Sequence, residues 1–207
     1  MTPPERLYSF WNAVNYVVNN HIPGDFVECG VWRGGSAMMA AMAFMTAGDL
    51  SRKLWLYDTF AGMPPPSEND IQIRSGKHAR EYLETEDRVP AYNTWAIADF
   101  DDVQKNIYST GYPQEKIVFR KGLVQETLRE PKPDTISILR LDTDWYDSTR
   151  LELKELWPLL VRSGVLIIDD YGWWKGQKQA VDEFFAAMSF KPCFFRIDVA
   201  MVMLIKP

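Results

Sequence analysis

Cysteine, histidine and net positive charge are all scarce in this chain of 207 residues. The only two cysteines, Cys29 and Cys193, lie in apolar segments, which predicts buried thiols in a reducing, cytoplasmic compartment rather than a disulfide framework. The two histidines, His21 and His78, belong to no metal or catalytic motif, so we expect surface residues or satisfied polar residues rather than catalysts. The net charge of -5 argues against a nucleic-acid partner, because phosphate binding generally needs a basic face.

Long apolar runs and a targeting segment are also missing. No run approaches the roughly 20 apolar residues of a membrane span, and the N-terminus lacks the basic-then-apolar build of a signal peptide. We therefore expect a soluble, unprocessed protein without a membrane partner. What the chain has in quantity is hydrophobic residues, at 46%, and aromatic residues, at 14%. With this length, that composition predicts one domain, residues 1–207, with a sizeable core.

Strand-like and helix-like segments alternate along the chain. Apolar strand signals at residues 26–31, 54–57, 116–120, 136–142 and 165–169 are separated by helical patterns at 37–47, 99–110, 148–160 and 177–188. This alternation predicts an α/β fold with a mostly parallel, doubly wound sheet. Two apolar runs with little between them, 193–197 and 199–205, predict a C-terminal antiparallel hairpin at the sheet edge.

Two segments fall outside this alternation. Residues 1–24 predict an N-terminal helix that starts with a capping box of Thr2 and Glu5. Residues 67–94 are polar and lack a strong period, which predicts a mobile excursion with one short helix. This excursion is a candidate lid.

A glycine-rich turn follows the first strand signal, in the order Glu28-Cys-Gly-Val-Trp-Arg-Gly-Gly-Ser36. It stands between strand and helix, where unpaired helix N–H groups and close backbone approach favour ligand binding. Asp58 ends the next strand 23 residues after Gly35, near the interval at which an acid binds ribose hydroxyls in nucleoside-binding folds. A tight turn and a solvated acid explain the same residues, so both interpretations stay open.

Two strand signals end in carboxylates. The first stops at Asp142, and the second runs into Asp169 and Asp170. Ligands bind at the carboxyl edge of open α/β sheets, and converging carboxylates repel one another unless a cation lies among them. These three acids therefore predict a site for a hard divalent cation, against the alternative that they are helix N-caps. Asp144 stays an unresolved neighbour.

Aromatic residues crowd the same sheet edge. Flat aromatic faces suit the apolar face of a sugar or an aromatic ring, but they are equally typical of an interface in a homo-oligomer. Both alternatives stay open for Trp145, Tyr146, Tyr171, Trp173 and Trp174.

Four stretches together resemble the macrocin O-methyltransferase family, also called TylF/MycF, in order and over nearly the whole chain. They are Ile22-Pro-Gly-Asp-Phe-Val-Glu-Cys-Gly-Val-Trp-Arg-Gly-Gly-Ser36, Tyr57-Asp-Thr-Phe-Ala-Gly-Met-Pro64, Leu141-Asp-Thr-Asp-Trp-Tyr-Asp-Ser-Thr149 and Ile168-Asp-Asp-Tyr-Gly172. The resemblance implies a Rossmann-like class I methyltransferase fold. It also implies an enzyme that depends on S-adenosylmethionine and Mg2+ or another divalent cation, and that methylates a hydroxyl of a sugar or glycosylated small molecule.

The resemblance implies residue roles as well. The metal ligands would be Asp142, Asp169 and Asp170, with Asp142 also the general base. In the related catechol-type methyltransferases a lysine serves as base, whereas this chain has Trp145 at the comparable place. The implied cofactor-binding residues are Glu28, Gly30, Gly34, Ser36, Asp58, Phe60, Gly122 and Gln125.

Rival functions share parts of these motifs. Asp142-Thr-Asp144 alone also resembles the Asp-x-Asp of metal-dependent nucleotide-sugar glycosyltransferases, or the nucleophile motif of dehalogenase-type phosphatases. A phosphatase nucleophile would be expected on the first strand, and a dinucleotide oxidoreductase has no need of paired carboxylates. A cofactor-binding scaffold without turnover is the non-enzymatic alternative. The chain is shorter than the antibiotic-tailoring members of the family, so a macrolide acceptor is not implied.

Overall fold

The computed structural model describes residues 3–90 and 93–207. The strands are β1 (Asp25–Cys29), β2 (Leu54–Asp58), β3 (Ile117–Lys121), β4 (Ile136–Leu141), β5 (Leu160–Ile168), β6 (Phe195–Arg196) and β7 (Val202–Ile205). The helices are α1 (Pro4–Asn19), α2 (Gly35–Thr46), α3 (Ala79–Thr85), α4 (Phe100–Tyr108), α5 (Val124–Thr127), α6 (Tyr146–Leu156) and α7 (Lys175–Ala186), with a 3-10 turn at Gln114–Lys116.

The strands form one sheet in the order β3-β2-β1-β4-β5-β7-β6. β1 to β5 are parallel, β7 is antiparallel to β5, and β6 is antiparallel to β7. The predicted α/β class, the doubly wound parallel sheet and the C-terminal hairpin at the edge are all confirmed. The strand order reverses between β1 and β4, which is where such sheets bind ligands at their carboxyl ends.

Side chains that alternate along the strands fill two cores, one on each face of the sheet. Phe26 and Ile138 pack on the face covered by α1, α2 and α4, whereas Val27 and Leu139 pack on the face covered by α5, α6 and α7. Strands covered on both faces need near-continuous apolar runs, and such runs in the sequence predict β1, β2, β4 and β5.

The N-terminal helix begins at Pro4, with Pro3 as its N-cap residue and no side-chain cap. The predicted cap, Thr2, lies outside the described residues. α1 lays Phe10, Val14 and Val17 against the sheet and α2, and its first turn reaches the carboxyl edge of the sheet through Arg6.

The described part of the polar excursion is held to the body of the protein. Its short helix, α3, is present as predicted and begins with a capping box in which the His78 ring accepts from the Arg80 N–H. Asp70 is fully buried, and its Oδ1 accepts from the N–H of Tyr146 at 2.8 Å. Closure of residues 67–94 over a substrate stays a prediction.

The prediction of buried thiols is correct for Cys29 and wrong for Cys193, which is exposed. Cys193 lies between α7 and the short strand β6, which is at the edge of the sheet and has a neighbouring strand on one side only. Among the described residues, no helix has the length and apolar character needed to cross a bilayer.

Candidate functional site

A cavity of about 570 Å3 opens at the carboxyl ends of β1, β2, β4 and β5. This volume lies within the range of small-molecule sites in proteins. The residues that line it along the sheet edge are Gly30, Trp32, Asp58, Gly122, Gln125, Arg140, Asp142, Asp144, Asp169 and Asp170. The excursion contributes Gln72, Tyr82, Glu86, Asn93 and Thr94 to the opposite wall.

The glycine turn after β1 is fixed by Asp58 from the neighbouring strand. The Asp58 Oδ2 accepts from the N–H groups of Val31 and Trp32, at 2.6 and 2.9 Å, and its Oδ1 accepts from the N–H of Phe60 at 2.7 Å. Gly30 has φ +85°, and a Cβ there would lie 2.1 Å from the carbonyl oxygen of Asp142. Any side chain at Gly30 would therefore push β1 and β4 apart at the floor of the cavity.

The predicted cofactor-binding residues divide into two groups. Gly30, Asp58, Gly122 and Gln125 line the cavity, whereas the other four do not. Those four are Glu28, which is fully buried; Gly34, the N-cap of α2; Ser36, in the first turn of α2; and Phe60, which packs against Phe100. Their direct contact with a cofactor stays a prediction.

The lining residues fit a nucleoside cofactor. Gln125 Oε1 is buried and has no hydrogen-bond partner among the described residues, so it offers a free acceptor to a group such as the amine of adenine. Asp58 offers carboxylate lone pairs to ribose hydroxyls from the end of the second strand. The backbone turn at Gly30 leaves room for the ligand between these groups.

Three carboxylates converge on the β4 and β5 side of the cavity. Asp142, Asp144 and Asp170 each offer an oxygen, and these atoms lie within 4.8 Å of one another. Asp144 has φ +64°, an uncommon conformation for a residue other than glycine, and this bend returns its side chain toward Asp142. The cluster shares Asp142 and Asp170 with the predicted metal site, and it has Asp144 where the prediction has Asp169.

Asp169 is instead held by two arginines. Its Oδ1 lies 2.7 Å from Arg140, and its Oδ2 is paired with Arg6 of α1. Arg140 is almost fully buried and also pairs with Glu28, at 2.6 Å, and with Asp142, at 2.7 Å. Asp169 therefore pairs with arginines and does not belong to the cluster of three carboxylates, and its role as a metal ligand stays a prediction.

The electrostatics of the cluster favour a bound cation. Burial, followed by the charge of Asp142, raises the pKa of Asp144 to about 8. Burial likewise raises the pKa of Asp142 and of Asp170 well above the usual carboxyl range, and neighbouring carboxylates reinforce both shifts. Burial outweighs the Arg140 charge and raises the pKa of Glu28 to about 7. These acids repel one another when ionised, and a divalent cation with oxygen ligands relieves that repulsion.

Most of the predicted aromatic cluster is structural. Trp145 and Trp174 are buried and pack edge to face at 5.0 Å, and the Trp145 indole donates to the carbonyl of Pro64. Tyr146 and Tyr171 bond to carboxylates on α7 outside the cavity. Trp173 is more than a third exposed and lines the cavity beside Asp170, and the buried Trp174 lines the cavity as well.

Sequence reasoning gave Arg140 no role, although a signal was present. A charged residue stands between Leu139 and Leu141 in a strand whose residues are all buried, and a buried charge needs a partner of opposite sign. Arg6 and Asp70 carried no comparable signal. Asp169 lies 163 residues from Arg6, and Tyr146 lies 76 residues from Asp70, so these contacts arise only from the fold.

The family model for macrocin O-methyltransferase (TylF) matches residues 1–206 of this chain. A tetracenomycin-related relative from Streptomyces olivaceus, 8-demethyl-8-(2,3-dimethoxy-alpha-L-rhamnosyl)-tetracenomycin-C 4'-O-methyltransferase, is 32% identical over 81% of this chain and 60% of its own length. Demethyldecarbamoylnovobiocin O-methyltransferase from Streptomyces niveus is 30% identical over 94% of this chain and 70% of its own length. The chain thus spans about two thirds of the length of these relatives.

Solved structures agree with the family match. The O-methyltransferase NovP superposes with a TM-score of 0.82 at 30% identity, covering 98% of this chain and 79% of that one. The calicheamicin methyltransferase CalS11 has a TM-score of 0.69 at 16% identity, covering 99% of this chain and 80% of that one, which shows the fold alone. With a family model that matches almost every residue, the chain belongs to the macrocin O-methyltransferase family.

Proposed function

We propose that this protein transfers a methyl group from S-adenosylmethionine to a hydroxyl of a sugar or another glycosylated small molecule, with the help of a divalent cation. The observation that carries the proposal is that two groups of residues, one suited to a nucleoside and one suited to a cation, line the same cavity. The glycine turn with Asp58 suits a nucleoside, and the cluster of Asp142, Asp144 and Asp170 suits a cation. The relative from Streptomyces olivaceus, whose name specifies 4'-O-methylation of a rhamnosyl tetracenomycin, supports a glycosylated acceptor.

The residues of this chain divide the work of binding. Asp58 would hold the ribose hydroxyls, and Gln125 with Gly122 would border the adenine. S-Adenosylmethionine supplies a methyl group that its sulfonium already activates, so the protein mainly has to align the acceptor oxygen with it. Trp173 and the wall formed by Tyr82 and Glu86 would hold the acceptor over the acid cluster.

Asp142 and Asp170 are the proposed cation ligands, because they belong both to the predicted set and to the cluster in the structure. When bound, the cation would lower the pKa of the acceptor hydroxyl and fix its position. Asp142 is also the proposed general base, since Trp145 stands where catechol-type methyltransferases have a lysine, and the Asp142 carboxylate lies at the cavity wall. The third carboxylate comes from Asp144 in the structure and from Asp169 in the sequence prediction. Calorimetric Mg2+ titrations of Asp144→Asn and Asp169→Asn decide between them.

A methyl-transfer screen tests the proposal. Purified protein is incubated with labelled S-adenosylmethionine and with sugar, glycoside and catechol acceptors, in Mg2+ and in excess chelator. We expect transfer to a sugar or glycoside hydroxyl, and its loss with chelator. Full activity in chelator would remove the cation from the mechanism. Transfer to catechols alone would correct the acceptor class.

The rival functions are tested by binding. A nucleotide-sugar glycosyltransferase would bind a nucleotide diphosphate sugar tightly and S-adenosylmethionine not at all, and titration calorimetry separates the two. A scaffold without turnover would bind the cofactor and transfer nothing to any acceptor in the screen. Membership of a family of O-methyltransferases favours the enzyme over both rivals.

A further inference from the structure

A buried carboxyl group is hydrogen-bonded to the turn between Asp142 and Asp144, and it has no part in the proposed chemistry. Glu152 is fully buried in α6, among the residues that fill the core between this helix and the sheet. Both of its carboxyl oxygens contact the hydroxyl of Thr143, at 2.9 and 3.1 Å. No other hydrogen bond of its carboxyl group is present among the described residues.

A carboxyl group in this position is costly. The neighbouring residues Leu153 and Leu156 belong to the apolar core, and burying an acid with one neutral partner disfavours its ionised form. Accordingly, burial raises the pKa of Glu152 to about 8, with the Thr143 hydroxyl only partly opposing the shift. A leucine would fill the same space without that cost, so packing alone does not explain why an acid is present at this position.

The residue that is hydrogen-bonded to the Glu152 carboxyl group, Thr143, is the centre of the turn that carries two acids of the cluster. Thr143 stands between Asp142 and Asp144, and it lines the cavity. Its carbonyl oxygen accepts from the N–H of Trp145 at 2.7 Å and from the Ser148 hydroxyl at 3.4 Å, while its hydroxyl meets Glu152. The backbone of Thr143 is thus tied to the start of α6, and its side chain is tied to the second turn of that helix.

This anchoring supports a strained conformation. Asp144 adopts φ +64° immediately after Thr143, a conformation that costs free energy for a residue with a side chain and persists only where its surroundings impose it. With that φ, the carboxylates of Asp142 and Asp144 face one another and Asp170, within 4.8 Å. If Thr143 rotated, the two acids on either side of it would separate.

We propose that Glu152 is a positioning residue, which anchors Thr143 from below and thereby holds Asp142 and Asp144 in the arrangement that binds a divalent cation. This inference rests on the cation part of the proposed function. Groups behind the ligands of a metal site commonly change metal affinity by about 10- to 100-fold when they are replaced.

The test compares Mn2+ and Mg2+ affinities, measured by titration calorimetry, with thermal unfolding of the same variants. Glu152→Leu should weaken cation binding about 10- to 100-fold, while its Tm stays equal to or above that of the wild type, because the buried acid is gone. Glu152→Gln should bind cations within about threefold of the wild type, because its amide oxygen can still accept from the Thr143 hydroxyl. A merely structural acid predicts a lower Tm for Glu152→Leu and an unchanged cation affinity.

Three more variants distinguish loss of the anchor from a folding artefact. Thr143→Val should weaken cation binding as much as Glu152→Leu, and the double variant should be no worse than either single variant, since both remove the same anchor. Thr149→Val, on the same helix, is the matched control. Its buried hydroxyl has no partner among the described residues, so cation affinity should not change.

Each outcome bears on a separate claim. Unchanged cation affinity in Glu152→Leu, or additive losses in the double variant, would overturn the anchoring role and leave the proposed function intact. A wild-type protein that binds cations but transfers no methyl group would overturn the proposed activity and leave the anchoring role intact. A wild-type protein that binds neither cation would overturn both the cation site and its anchor.

Discussion

At the scale of single residues, the site depends on how arginine side chains are paired with its carboxylates. Arg140 shows this best, because its guanidinium pairs with Glu28, Asp142 and Asp169 from inside a fully buried strand. A single partner would leave the other acids repelling one another. The arrangement therefore keeps several carboxylates at the edge of one cavity while the cluster that faces the cavity can still accept a divalent cation.

Asp142 is the residue whose removal should separate cofactor binding from catalysis. We expect Asp142→Asn to lower Mg2+ affinity at least about 10-fold and to abolish most methyl transfer, while S-adenosylmethionine affinity stays within about twofold. Titration calorimetry with each ligand and a methyl-transfer assay measure the three quantities. Asp147→Asn, an exposed acid in the first turn of α6, is the control and should leave all of them unchanged. If Asp142→Asn lost S-adenosylmethionine affinity as much as Mg2+ affinity, the assignment of separate cofactor-binding and cation-binding residues would be wrong.

Gly30 should tolerate no side chain. Gly30→Ala meets two costs, the positive φ and a Cβ placed 2.1 Å from the Asp142 carbonyl oxygen. Gly48→Ala isolates the first cost, because φ there is +75° and no described atom lies within 4 Å of the added Cβ. In urea unfolding, we expect Gly48→Ala to cost about 1 kcal/mol and Gly30→Ala at least about 2 kcal/mol more. Similar values for both variants would show that β1 and β4 can move apart without cost.

At the scale of elements, the excursion is attached where two helices begin. Asp70 accepts from the first N–H of α6, and a Cβ at Gly176 in the first turn of α7 would lie only 1.9 Å from its Oδ1. The helix α6 has no side-chain cap of its own, so Asp70 satisfies one of its free N–H groups from 76 residues away. The wall of the cavity and the acid-bearing turn are thereby joined.

Removing that attachment should loosen the excursion. We expect Asp70→Ala to lower stability by about 0.5 to 2 kcal/mol, as loss of a helix cap does, and to increase hydrogen–deuterium exchange in residues 71–86 and in the first turn of α6. Glu68→Ala is the control, because that acid is exposed and pairs with Arg80 at the surface. Unchanged exchange in residues 71–86 of Asp70→Ala would mean that other contacts hold the excursion in place.

At the scale of the whole molecule, several buried acids share one response to pH. The pKa values of Glu28, Glu152 and Asp144 are raised to about 7, 8 and 8, whereas the same groups ionise near 4 to 4.5 in an unfolded chain. At pH values between the unfolded-state and the folded-state pKa of these acids, the folded state holds more protons than the unfolded state. Stability must therefore fall as pH rises through this interval.

Without divalent cations, we expect Tm to decline steadily between about pH 5 and pH 9. Glu152→Leu should show a shallower decline, because it removes one of the acids responsible. Saturating Mg2+ should raise Tm more at pH 8.5 than at pH 6, since the cation binds deprotonated carboxylates. Scanning calorimetry in chelator and in Mg2+ measures both effects. A Tm that rises with pH in chelator would show that these acids are ionised in the folded protein at neutral pH.

The sequence by itself determined the α/β fold, the edge hairpin and the family. Apolar runs that stop at Asp58, Asp142 and Asp169 are local patterns, and a parallel sheet brings the ends of its strands to one edge whatever the details of packing. The tertiary structure decided how the acids are shared, with Asp144 in the cluster and Asp169 paired with Arg140 and Arg6. That choice depends on side-chain directions and on contacts between distant segments, which residue type and spacing along the chain do not encode.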